Sequence, residues 1–205
     1  MSQTFIFRDF SYQDAEAMYL YKNDAKLNAM IVGAYHPMTI EEVNKWIEGC
    51  IHTNRRYKFW AIAPQDQPQH LIGWTSISEI EEENRSARMH SMVIGDPIYR
   101  DGFAWIQSYL FVMDYVFNQM QFHRLWGIKR ADHIQSVTIN QALFWKEEGL
   151  LRQAKLDTDR YVDISIYGIL RDEYLMHMQN GEYEMRNIRK RIASFFRQRI
   201  QQGKN

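Results

Sequence analysis

YRDGFAWIQSYLFVMDYVFNQM, residues 99–120, is the stretch on which the reading of this chain turns. It opens with a short turn, Arg100-Asp101-Gly102, and continues as an apolar-rich segment of about five turns at ~3.6 residues per turn. Ile106, Leu110, Met113 and Phe117 recur at helical spacing and share one face. Immediately upstream, Met92-Val93-Ile94 reads as the end of a strand. Strand, tight turn and helix N-terminus together gather backbone N–H groups and the positive end of a helix dipole, which suits an anion such as a phosphate. An ordinary strand-to-helix connection has the same local pattern, so the surrounding elements must discriminate.

Outward from this stretch, Thr4 to Phe10 alternates as a half-buried strand. Ser11 then opens a helical stretch, with Asp14 three residues on as its capping partner. Thr39-Ile40-Glu41-Glu42 starts a second helix that runs to about His52 and buries Val43, Trp46 and Ile47. Lys58 to Ala63 alternates again, and the proline-bearing loop 64–69 leads into strands His70–Glu81 and Arg85–Ile94. Beyond the central helix come a strand at Arg124–Arg130 and a helix at Ser136–Lys146. Leu151–Leu156 and Tyr161–Leu170 then form a closing hairpin around Asp157-Thr158-Asp159. The order β-α-α-β-β-β-α-β-α-β-β predicts a mixed sheet covered by helices, an α+β domain over residues 1–176. Residues 177–205 are expected to add a basic amphipathic helix carrying Met185, Ile188, Ile192, Phe195 and Phe196.

Composition narrows the classes. With 205 residues and 45% hydrophobic content the chain can bury a sizeable core. Its net charge is zero, but the segment from Asn180 onward carries +5 and the remainder −5. The apolar face of that basic segment is expected to pack on its own domain or on a second subunit, making a homodimer one option. Nucleic acid is not favoured, because no nucleic-acid motif accompanies the charge. Cys50 stands alone, which excludes an internal disulfide framework and a thiolate metal cluster and makes it a small core residue. No run is apolar enough for a membrane span, the N-terminus lacks the core of a secretory signal, and a cytoplasmic protein is expected.

Several strings, in order, resemble the GNAT N-acetyltransferase superfamily, and within it the branch that includes ribosomal-protein N-terminal and spermidine acetyltransferases. Leu71-Ile72-Gly73-Trp74 resembles the strand that opens the family's sheet. ARMHSMVIGDPIYRDGFA, residues 87–104, lies without gaps on its strand-plus-pyrophosphate-loop pattern. His133-Ile134-Gln135-Ser136 falls where relatives carry N-x-x-S, and Glu148 to Ala154, Tyr161 to Asp163 and Ile169 to Tyr174 resemble the closing hairpin. The resemblance covers roughly residues 4–174. It implies a GNAT fold and acetyl-CoA-dependent acetylation of a primary amine, with no metal. Met92, Val93 and Ile94 would hold the pantetheine arm. Arg100, Asp101, Gly102, Phe103 and Ala104 would hold the pyrophosphate, with His133 beside the cofactor.

This chain also departs from the family pattern. Arg100 and Asp101 stand where a glycine and a neutral residue are usual; the arginine suits a phosphate and the aspartate opposes one. Arg88 occupies the position of a frequent strand glutamate, and Asn140 that of a thiolate-protonating tyrosine. Ser136 is therefore the candidate proton donor to the leaving thiolate, its alternative role being a helix cap. His90 is the candidate base by intrinsic pKa, with Glu79 next and Glu81 beyond it. Tyr19, Tyr21, Tyr35 and His36 are candidates for an acceptor pocket. The acceptor stays open among a peptide N-terminus, a polyamine, an amino sugar and a small amine. The competing readings are a catalytically silent binding module of the same fold and an amino-sugar-nucleotide acetyltransferase of glycan synthesis.

Overall fold

Local signals set most of the elements in this computed structural model, which describes residues 4–32, 35–52, 56–157 and 159–202, the last three residues by backbone alone. Strand β1 (Phe5–Arg8) leads into a 3-10 turn. There the Asp14 carboxylate accepts the Ser11 N–H at 2.8 Å and pairs with Arg8 at 2.6 Å. Helices α1 (Ala15–Asn23) and α2 (Ala25–Asn28) follow. Helix α3 (Ile40–Ile51) begins with a reciprocal cap: Thr39 N–H donates to the Glu42 carboxylate at 2.7 Å, and Glu42 N–H to the Thr39 hydroxyl at 3.3 Å. Its buried stripe is Val43, Ile47 and Cys50, and Trp46 lies half-buried against the same core.

Strands β2 (Tyr57–Pro64), β3 (Gly73–Glu81) and β4 (Ser86–Ile94) then form an antiparallel meander. Helix α4 (Phe103–Asp114) crosses over to β5 (Arg124–Arg130), which pairs with β4 in parallel. The expected five-turn helix changes pitch at Tyr115–Gln119, where a π turn inserts extra winding; Ile106, Met113 and Phe117 stay buried and Leu110 is half-buried. Helix α5 (Ile134–Ala142), strands β6 (Lys146–Asp157) and β7 (Arg160–Leu170), and helices α6 (Arg171–Gln179) and α7 (Met185–Gln202) complete the chain. The seven strands run β1-β2-β3-β4-β5-β7-β6 across the sheet.

One stretch departs from expectation. The helix predicted over Ser136–Lys146 stops at Ala142, because Phe144 takes a left-handed conformation (φ 65°), and β6 starts at Lys146 rather than Leu151. Strand β6 is the sheet edge and nearly all of it is exposed, so Lys146-Glu147-Glu148 has no buried alternation by which to be read as strand. Thr158, in the closing turn, lies outside the described residues.

The sheet separates two apolar layers. Under α1 and α3, Met18, Val43, Ile47, Ala61, Trp74 and Val93 pack together. On the opposite face Met113, Phe117, Leu125, Val137 and Leu143 form the larger core under α4 and α5. Helix α7 joins this second core: Ile188 is fully buried in it, and Arg191 donates to the Ala142 carbonyl at 2.8 Å while pairing with Glu182. No described helix is long and apolar enough to cross a membrane. Ile188→Ala should destabilise the whole fold by about 2–5 kcal/mol, the usual range for a buried Ile truncation. Urea unfolding followed by two probes should show one shifted transition, and an unchanged midpoint would mean α7 contributes nothing to the core.

Candidate active site

The site is created where two neighbouring strands part. Strands β4 and β5 pair only from Ser86–Met89 to Arg124–Gly127. Ser76 and Ile77, consecutive on β3, face Ser91 and Met89 on β4, which leaves His90 as the extra residue of a β-bulge. A bulge bends and twists its strand. Here it turns the remainder of β4 away from β5, directly after Met89 meets Gly127. A Cβ on Gly127 would come within 3.3 Å of the Met89 carbonyl, so glycine permits this last close approach. Beyond it, β5 continues from Ile128 to Arg130 paired with β7, and a cleft of about 550 Å³ opens between the strands.

At one mouth of the cleft stands the N-terminus of α4. Gly102 caps the helix with φ 94°, and a Cβ built there meets no atom within 4 Å, so open space lies in front of the helix. Asp101 turns inward enough for its carboxylate to accept the Phe103 N–H at 3.0 Å. Arg100 folds back, donating from Nε to the Ile94 carbonyl at 3.1 Å and from Nη2 to the Gly95 carbonyl, with Asp24 3.8 Å away. On the other side of this mouth His133 sits at the start of α5, with its ring 5.9 Å from that of Trp105. Burial, then the charges of Lys129 and Arg130, lower the His133 pKa to about 4, so it is neutral at pH 7. Arg189 of α7 lies over the ring of Phe103, the first residue of α4, at 4.8 Å.

The interior holds different groups on the two faces of the sheet. On the α4–α5 face, Lys129 is buried with no carboxylate at ion-pair distance among the described residues. Its Nζ donates to Tyr109 Oη at 2.9 Å and to Ser136 Oγ at 3.1 Å. Desolvation alone lowers its pKa to about 7. On the α1–α3 face, His90 stacks edge-on to Tyr57, which in turn stacks with Phe59 of that layer. Desolvation, then Arg88, and further on Lys22 lower the His90 pKa, against an opposing pull from Glu79. Lys22 places Nζ 4.4 Å from the Trp46 ring and 4.8 Å from the Trp74 ring.

The cleft thus collects His90, Met92, Val93, Ile94, Arg100, Gly102, His133 and Ser136 from the residues singled out in the sequence. Glu79 is not among its lining. It sits at a second irregularity of β3 with φ 48° and binds Arg88 at 2.6 Å, so Arg88, which does line the cleft, has its counter-charge behind it. Tyr19, Tyr21, Tyr35 and His36 are also absent from the lining; Tyr21 packs against Gly95 and donates to the Leu71 carbonyl at 2.9 Å. Lys129 and Lys22 are the residues that sequence reasoning passed over. Lys129 had a readable signal: Leu125, Gly127 and Lys129 are successive inward positions of one strand, and a lysine is out of place there.

Residues 4–143 match the family model of the acetyltransferase (GNAT) domain. The chain belongs to the GNAT acetyltransferase family. A spermidine N-acetyltransferase from Vibrio cholerae, solved with CoA and spermine, shares its fold at 19% identity, with a TM-score of 0.74 over 83% of this chain and 98% of that one. A GNAT-family acetyltransferase from Bacillus anthracis does so at 18% identity, with a TM-score of 0.70 over 82% and 96%. No curated protein sequence matches the chain.

As a GNAT N-acetyltransferase the chain takes acetyl-CoA as its acyl donor, and the residues present fit that group. Past Met89 the β4 edge is released from β5, open space lies before Gly102, and Arg100 supplies positive charge at the same mouth. Asp101 is the one adverse element. Asp101→Asn keeps the cap on Phe103 and removes its charge, so CoA affinity measured by calorimetry should rise about two- to fivefold, the effect of about 0.3–1 kcal/mol at a helix N-terminus. Gly102→Trp should abolish binding by filling the open space from a strained backbone. Unchanged affinity in that variant would move the phosphate site elsewhere.

Proposed function

We propose that this acetyltransferase modifies a primary amine that approaches from the α1–α3 face of the strand split, with His90 as base and Ser136, backed by Lys129, as acid. Acetyl-CoA supplies an acyl group activated as a thioester. In this reading the edge formed by Met92, Val93 and Ile94 holds the pantetheine arm, the loop from Arg100 through Asp101, Gly102 and Phe103 to Ala104 holds the pyrophosphate, and His133 flanks it as a neutral donor or acceptor.

The observation that carries the reading is the division of proton-handling groups by the split. An alkylammonium of ordinary pKa, ~10, must lose a proton before it can attack an acyl carbon. His90 is neutral at pH 7 because burial and the neighbouring cations disfavour its charged form, so a ring nitrogen accepts that proton. On the opposite face Lys129 Nζ donates to Ser136 Oγ, which ties the serine to a buried ammonium in the cleft wall. Lys129 then replaces the proton that Ser136 gives up. Acid and base are kept apart by the strands themselves, so neither neutralises the other.

Lys129→Met separates this role from a structural one. The unfolded chain holds the Lys129 proton up to an ordinary ~10.4, whereas the fold releases it at about 7. Between those values the unfolded state binds more protons, so stability rises with pH, and the burial penalty is fully present below about 7. The methionine variant should therefore melt at a higher temperature than the parent, most clearly at pH 6. Its kcat should fall by about tenfold or more, the lower part of the acid–base range, and should lose the decline that the parent shows as pH rises through about 7. A variant with raised melting temperature and unchanged kcat would remove Lys129 from the reaction. His90→Ala should lower kcat by about 10²-fold with little change in the KM for acetyl-CoA.

A further inference from the structure

We propose that the acceptor amine also carries an anionic group, a carboxylate or a phosphate, and that Lys22 receives it. The inference rests on the acetyl-transfer reading above and concerns the α1–α3 end of the cleft. That end is walled by Trp46, Phe59 and Trp74, with Lys22 and Lys26 from α1 and α2 and Arg88 and His90 from β4. Among the described residues lining the cleft there is no aspartate or glutamate.

The cations differ in how they are already balanced. Arg88 binds Glu79 at 2.6 Å, and Arg100 lies 3.8 Å from Asp24 while donating to two carbonyls. Among the described residues Lys22 has no such partner. Its ammonium rests over two indole rings, and the burial that lowers its pKa is opposed by no neighbouring carboxylate. Aromatic faces compensate a desolvated cation in part, and an anion beside it completes the pair. The α4 mouth has its own cation in Arg100, whereas Lys22 belongs to the layer on the opposite side of the sheet.

A polyamine meets the wrong field here. With one amino group at His90, its remaining ammonium groups would lie among Lys22, Lys26 and Arg88 with no carboxylate lining to receive them, and like charges repel without compensation. The aromatic box that elsewhere suits an ammonium ligand is filled by the chain's own Lys22. An amine with a nearby carboxylate or phosphate fits instead: the anion pairs with Lys22, the apolar part of the molecule lies on Trp46 and Trp74, and the amino group is directed toward His90. Burial first, and then Arg88 with a smaller part from Lys22, disfavours the charged form of His90 at the same end of the cleft.

Calorimetric titration of the CoA-saturated full-length protein with L-glutamate, glucosamine 6-phosphate and spermidine tests this at low ionic strength. At least one anionic amine should bind tenfold or more tightly than spermidine; glutamate and the sugar phosphate distinguish a carboxylate from a phosphate. Lys22→Met, which keeps the apolar stem over the indoles, should weaken that amine at least tenfold and leave CoA affinity unchanged, and Lys22→Glu should reverse the order in favour of spermidine. Tighter binding of spermidine by the parent, no binding of either anionic amine, or a Lys22→Met variant with unchanged anionic-amine affinity would each overturn the proposal. Thiol release from acetyl-CoA is read in parallel. An anionic amine that binds through Lys22 and is not acetylated would support the anion site while sinking the roles given to His90 and Ser136.

Discussion

The interruption of one strand pair governs this protein. Had β4 kept its register with β3 and its pairing with β5, the sheet would be continuous and would have no interior opening. One additional residue, His90, bends β4 and ends the parallel pairing at Met89 and Gly127. The bend releases backbone that a continuous sheet would satisfy internally. It also leaves side chains of α4 and α5 on one side and of α1 and α3 on the other facing a common space. The bulge residue is itself an imidazole that lines the cleft, so the irregularity that makes the opening also places a titratable group in it.

Charge in the cleft is held at some cost to the fold. Lys129 is buried with two hydroxyl groups and no carboxylate, and its pKa near 7 records a desolvation that a hydrophobic residue would not suffer. The next residue on the strand is treated in the opposite way. Arg130, equally buried, is bound by Asp132 at 2.9 Å and Asp157 at 2.6 Å and reaches the Ala29 carbonyl, tying α2 to the far ends of β5 and β6. The contrast between adjacent residues on one strand is instructive. Arg130 points to the α2 side and is a structural tie; Lys129 points to the α4 side and is left electrically incomplete in a cleft that receives an acyl donor.

The C-terminal helix belongs to the same design. Its apolar stripe closes the core over α5 through Ile188, while Arg189 on its exposed side reaches the ring of Phe103 at the start of α4. A helix read from sequence only as basic and amphipathic thereby takes one role from each of its faces.

Much was legible without coordinates. Alternation marked β1 and β2, the Thr39–Glu42 pair marked the start of α3, and the 99–120 stretch marked the turn and the helix on which the family resemblance depends. These are properties of neighbours in sequence, where capping, spacing and backbone preference act locally. The length of α5 and the start of β6 were misread because an exposed edge strand carries no buried period. The pairing of Glu79 with Arg88, nine residues on and across a hairpin, was not legible either. The pairing of Lys129 with Tyr109 and Ser136, the seating of Lys22 on Trp46 and Trp74, and the placing of Lys129 and His90 on different faces of the sheet were decided only by tertiary structure. They depend on which residues distant in sequence share one desolvated space, and no local period encodes that.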